Sequence, residues 1–69
     1  MTEIQVMVNG EARTIAAPAT LEDLLASFQL DPRMVVVELN REIVRRPRLG
    51  SVQLKSGDSI ELVHFVGGG

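Results

Sequence analysis

Cysteine, tryptophan and tyrosine are absent from these 69 residues, and histidine occurs once, at His64. Without thiols there is neither a disulfide framework nor a thiolate–zinc site, and one imidazole cannot build a histidine metal site. The only aromatic residues are Phe28 and Phe65, too few for a platform on which single-stranded nucleic acid stacks its bases. No run approaches the roughly 20 apolar residues that span a bilayer. The start, Met1-Thr2-Glu3, lacks the basic and apolar regions of a secretory signal, so the default setting is cytoplasmic. The net charge of −2 gives no reason to expect nucleic acid or an anionic membrane as partner. At this length there is room for one core and hardly any for an enclosed active-site cavity, and about 60% of the unfolded chain's surface is buried on folding.

What is present has clear local order. Ile4, Val6 and Val8 alternate with more polar neighbours, which predicts a half-buried strand. Asn9-Gly10 follows, the pair that a two-residue hairpin turn with two positive φ angles prefers. A returning strand over 11–16 is stopped by Pro18, which cannot donate to a ladder. Thr20 and Asp23 resemble a capping box, with Asp in place of Glu or Gln. Leu21, Leu24, Leu25 and Phe28 then form the i, i+3, i+4, i+7 stripe of a short helix, which must end before Asp31-Pro32.

The run Met34–Leu39, apolar apart from Glu38, reads as a central strand buried on both faces or nearly so. Asn40-Arg41 is a turn into a short strand, Glu42–Val44, and residues 45–50 should be irregular, with Val52 and Leu54 as anchors beneath. Ser56-Gly57-Asp58 turns the chain into a last strand over 59–66, with Ile60 and Leu62 inward. The order of hairpin, helix, strand, irregular segment and strand predicts an α+β roll, a mixed four- to five-stranded sheet packed on one helix. The domain should cover residues 1–66, with 67–69 as a flexible glycine tail.

Candidate chemistry is sparse. His64 has no nucleophile pattern near it and reads as a strand surface residue. The carboxylates are scattered, without a spacing suited to acid–base work. Arg41, Arg45, Arg46 and Arg48 give residues 41–48 a charge of +3, four arginines against Glu42, and the rest of the chain carries −5. Such a cluster is either a solvated loop or a docking face for an acidic partner. If Ile60 and Leu62 point inward, Val63 and Phe65 either form an outer contact patch or lie under the 45–54 segment. The chain ends Val66-Gly67-Gly68-Gly69. Three extended residues span roughly 10 Å, and glycine lets a partner approach the backbone closely. The run is either a frayed tail or a slim arm carrying a reactive carboxylate.

Several segments, taken in order, resemble the ubiquitin-like β-grasp sulfur carriers of the ThiS/MoaD-like family. They are Val8-Asn9-Gly10-Glu11, Thr20-Leu21-Glu22-Asp23-Leu24-Leu25, Val35-Val36-Val37-Glu38-Leu39-Asn40, Ile43-Val44-Arg45, Gly57-Asp58-Ser59-Ile60-Glu61-Leu62 and the closing Gly68-Gly69. The resemblance implies a carrier that is not itself an enzyme and binds no cofactor or metal. A ThiF-like enzyme would use ATP to adenylate the terminal glycine, Gly69. Sulfur from cysteine, passed through a desulfurase, would convert it to a thiocarboxylate, which thiazole synthase, ThiG, would accept in thiamine biosynthesis. Gly67 and Gly68 would form the arm, and Val63, Phe65, Arg45 and Arg46 would be the docking candidates. Two relatives share the pattern: the small subunit of molybdopterin synthase, typically longer, and ubiquitin-like protein modifiers or binding modules. The short chain favours the thiamine carrier.

Overall fold

The computed structural model describes residues 2–65. Five strands, β1 (Thr2–Val8), β2 (Glu11–Ala17), β3 (Val35–Leu39), β4 (Glu42–Val44) and β5 (Ser59–His64), form one sheet in the order β2-β1-β5-β3-β4. The helix α1 (Leu21–Ser27) follows β2. Only β1 and β5 run parallel; the other pairings are antiparallel. This is the expected roll, with the sheet resolved at five strands.

Both hairpin turns use positive φ at their two central residues, 51° and 83° at Asn9-Gly10 and 51° and 73° at Asn40-Arg41. Such turns match the right-handed twist of the strands they join. The core stripe of α1 (Leu21, Leu24, Leu25) packs on Val6, Val8, Val37 and Ile60, while Phe28 at the helix end is partly buried against the same cluster. No polar or charged residue among those described is buried. The interior is held by apolar burial, worth roughly 25 cal/mol per Å².

The helix start is fully satisfied. Thr20 Oγ1 accepts from the Asp23 amide at 3.1 Å and the Asp23 carboxylate accepts from the Thr20 amide at 2.9 Å, a complete capping box. The amides of Leu21 and Glu22 donate to the carbonyls of Val52 and Leu49, at 3.1 Å each. Hence the segment after β4 does what a second capping side chain would, and the first-turn donors that could hold an anion are already used. At the other end Gln29 takes the left-handed conformation, φ 59°. The Leu30 amide reaches back to Leu25 and that of Gln29 to Ala26, both at 3.0 Å, the Schellman closure.

Two expectations need correction. The central strand is β5, not 34–39, and β3 is buried on one face only: Val35 and Val37 are buried while Val36 and Glu38 are half-exposed. The reason is that α1 and the 45–58 segment cover a single face of the sheet, so an unbroken valine run does not by itself signify two-sided burial. Second, residues 45–50 are not wholly irregular. Arg46–Arg48 form a 3₁₀ turn that delivers Leu49, only 2% exposed, into the core.

Candidate functional site

The sheet has an inner face on the helix and an outer face open to solvent. Strand alternation assigns the residues: Val35, Val37 and Ile60 are buried, so Val36, Glu38, Glu61 and Val63 point outward. Register sets them in rows. Val36 lies opposite Val63 and Glu38 opposite Glu61 across β3 and β5. Ile43 on β4 flanks Glu38. Carrying the β3–β4 register one residue past Val37↔Val44 brings Arg45, in extended conformation, beside Val36.

Exposure along this face is high for apolar side chains: 63% for Ile43, 56% for Val63 and 51% for Phe65. The Phe65 amide donates to the Met34 carbonyl at 2.7 Å, so the backbone is tied to the sheet while the ring stays in water. The 45–54 segment therefore does not cover Val63 and Phe65. Its anchors Leu49 and Leu54 enter the core on the helix side, and its backbone is bonded to Ala19, Leu21 and Glu22.

Arg41, Arg45, Arg46 and Arg48 are all exposed. The ion pairs among the described residues are Arg13–Glu11 at 3.4 Å and Arg33–Asp31 at 2.8 Å, so none of the four arginines is matched within the described fold. Arg45 thus belongs with the Val36–Val63 row. Arg46, one residue further on, adds long-range attraction to Asp31 and stands off the strand rows. Structure unites Val63, Phe65 and Arg45 on one surface and leaves Arg46 at its margin. Gly67, Gly68 and Gly69 lie outside the described residues.

Sequence reasoning missed the contributions of Val36, Ile43 and the Glu38–Glu61 pair. The signal was available for Val36 and Glu38 as alternate positions of β3, but it is hidden when the whole run is read as doubly buried.

Elsewhere the surface offers little chemistry. A cleft of about 390 Å³ lies between β2 and α1 and is floored by Ile15, Ala19, Leu24 and Phe28. Its ionisable groups are both engaged: Asp23 in the capping box and Arg13 with Glu11 and over the Phe28 ring, 5.2 Å from its centroid. His64 pairs with Val35 on β5 and is exposed. Among the described residues no three metal-ligating side chains come together, and no helix is long and apolar enough to cross a membrane.

A single helix gripped by a five-stranded sheet is an arrangement shared with known proteins. The ThiS family model matches residues 6–69. The chain belongs to the ThiS family. It is 54% identical over 50 residues to the sulfur carrier protein ThiS of Bacillus subtilis, covering 72% of this chain and 76% of that one. Over 66 residues, 96% of this chain, it is 41% identical to a thiazole synthase of Paramagnetospirillum magneticum, of which it spans 20%. The crystal structure of the thiamine biosynthesis protein ThiS from Geobacter metallireducens is similar with a TM-score of 0.81 and 32% identity, covering 96% of this chain and all of that one.

Proposed function

We propose that this ThiS-family chain carries sulfur for thiamine biosynthesis on Gly69. The observation that carries the reading is the family match, which extends through residue 69, joined to a sheet face whose apolar side chains stand in water beside the strand that precedes it. The chain's part is to present a carboxylate and a docking surface, and it performs no catalysis. A ThiF-like enzyme binds the ATP. The Gly69 carboxylate oxygen attacks the α-phosphorus, pyrophosphate leaves, and an acyl-adenylate forms. A desulfurase takes cysteine sulfur as a persulfide, a thiol reduces that persulfide to release sulfide with formation of a disulfide, and the sulfide attacks the acyl carbon and displaces AMP, leaving a thiocarboxylate.

Glycine suits this chemistry because it places no side chain beside the acyl carbon. Gly67 and Gly68 supply the slender approach, and Val63, Phe65, Arg45 and Arg46 supply the docking contacts. Thiazole synthase, ThiG, is the acceptor, a partner supported by the likeness of this chain to a stretch of proteins bearing that name. The sequence takes place in the cytoplasm, where ATP is available, with no cofactor held by the carrier.

Incubation with a ThiF-like enzyme, ATP and a sulfur source tests the reading by intact mass. The expected product has one oxygen exchanged for sulfur. Attachment of the chain to protein lysines would overturn it. Deleting Gly69 should abolish ATP–pyrophosphate exchange while leaving the circular dichroism spectrum unchanged; continued exchange would exclude the terminal carboxylate as the reacting group.

A further inference from the structure

Glu38 and Glu61 sit directly opposite each other on the outer face, one on β3 and one on β5. Directly opposed side chains have Cβ atoms about 4.5–5.5 Å apart, and like charges there are destabilising. No lysine or arginine among the described residues forms an ion pair with either. On the same face Ile43 lies beside Glu38 and the apolar Val36–Val63 row is one step along, while Asn40 and Ser59 border the pair on its other side. A domain of this size has little stability to spare, yet it keeps two unmatched carboxylates together at the border of an exposed apolar surface.

The place of this pair relative to the C-terminus points to an enzyme that acts on Gly69, and the adenylating enzyme is the first of these to meet the carrier. Four residues follow Phe65, and fully extended they reach at most about 14 Å. An enzyme that holds Gly69 at its reacting centre is therefore within a few side-chain lengths of this face. We infer that the face docks on the adenylating enzyme through a lysine or arginine seated between Glu38 and Glu61. Apolar side chains of the enzyme rest on Val36, Val63 and Phe65, and one of its carboxylates meets Arg45. The inference rests on the carrier reading above and specifies the chemistry of the partner surface. The carboxylate pair gives up stability in the free protein and regains it in the complex, where one cation satisfies both groups. Apolar neighbours displace water around that contact and strengthen it.

The test measures the KM for the carrier in ATP–pyrophosphate exchange with a ThiF-like enzyme, alongside thermal midpoints, for Glu38→Gln, Glu61→Gln, Glu61→Lys and Phe65→Ala. Neutralising either glutamate should raise KM about fivefold, and the reversal Glu61→Lys roughly thirtyfold or more, with kcat unchanged. The two neutral variants should melt at or above the parent temperature, because a repulsion has been removed. Raising the salt concentration should increase the parent's KM more than that of Glu61→Gln. A lower melting temperature in the glutamine variants would overturn the inference by making the carboxylates structural. An unchanged KM in both glutamate variants with a raised KM in Phe65→Ala would overturn it while leaving the docking face standing. If all four variants keep the parent KM, this face does not dock and the inference fails, while adenylation of the parent chain leaves the carrier reading standing.

Discussion

The side chain of Asn9 binds the backbone of Leu62 in both directions. The Leu62 amide donates to Asn9 Oδ1 at 2.7 Å, and Asn9 Nδ2 donates to the Leu62 carbonyl at 3.2 Å. The parallel β1–β5 ladder ends in the neighbourhood of the first hairpin, with the Asn9 amide bonded to the Ile60 carbonyl. Beyond that point the Asn9 side chain imitates one more peptide and extends the ladder. Asn40, in the equivalent place of the second hairpin, bonds the other side of β5: Oδ1 accepts from the Ser59 amide at 2.9 Å, and its own amide donates to the Ser59 carbonyl at 2.7 Å. Two Asn turns thus clamp the central strand from both flanks.

Asn9→Gly keeps the positive φ that the turn demands while removing the two side-chain bonds. At a net 0.5–1.5 kcal/mol for each bond, the expected loss is about 1–3 kcal/mol. Urea unfolding would read this as a lower midpoint with an unchanged slope. An unaltered midpoint would mean that water replaces the Asn9 amide without cost.

Arg41 occupies the second central position of its turn at φ 73°, where the first hairpin has Gly10 at φ 83°. A side chain in the left-handed region costs roughly 1–2 kcal/mol, offset in part by the greater freedom glycine loses on folding. Arg41→Gly should therefore stabilise the protein by about 0.5–1 kcal/mol, read as a higher denaturation midpoint. A lower midpoint would show that the Arg41 side chain makes a stabilising contact outweighing its backbone cost.

Leu49 shows where sequence reading stops. The hairpins, the capped helix and the inward residues of β1 and β5 were legible because period, turn chemistry and capping all pointed the same way. The position of Leu49 has no period to betray it, since it stands alone after Arg46-Pro47-Arg48. Its burial depends on a 3₁₀ turn and on its carbonyl accepting from the Glu22 amide, a contact between segments far apart in the chain. The outer face was half legible for a related reason: Val63 and Phe65 declare themselves by alternation, whereas Val36 and Glu38 can be placed only once the sheet is known to be covered on one side.

The energetic consequence is that Leu49→Ala should destabilise by about 2–4 kcal/mol, the usual range for a buried leucine truncated to alanine. In a domain of 69 residues this approaches the whole folding free energy. Urea titration should show the cooperative transition moved to very low denaturant or lost. Val52→Ala, at a partly buried position of the same segment, should cost less, and the reverse order would contradict the packing described.

Asp31 gives the fold a pH dependence. Hydrogen bonds from the Arg33 guanidinium, 2.8 Å at the shortest, and from the Arg33 amide at 2.9 Å hold its carboxyl down to about 2, from an ordinary 3.8. A carboxylate depressed in the folded state adds stability above its unfolded value, and that contribution fades as the pH falls toward the folded one. The group is exposed, so the effect is small. Asp31→Asn keeps a side chain able to cap the following 3₁₀ turn and removes the charge. The variant should melt slightly below the parent above about pH 4, and the gap should close between about pH 4 and pH 2. A gap independent of pH would assign the effect to packing.

Phe65 separates docking from folding in one substitution. Its backbone amide is bonded to Met34 while its ring is about half exposed, so Phe65→Ala removes contact surface without breaking a strand bond. Surface truncations of this kind usually alter stability by no more than about 0.5 kcal/mol. An aromatic anchor at the middle of an interface is worth more, about 1–2 kcal/mol or above when truncated. The expected outcome is a near-parental melting temperature together with roughly five- to thirtyfold weaker binding to a ThiF-like enzyme, read by titration calorimetry. The backbone bond to Met34 makes the contrast sharp: it holds residue 65 at the end of the β3–β5 ladder whatever side chain it carries, so weaker binding reports on the ring. Unfolding of the variant would instead place Phe65 in the core and remove it from the docking face.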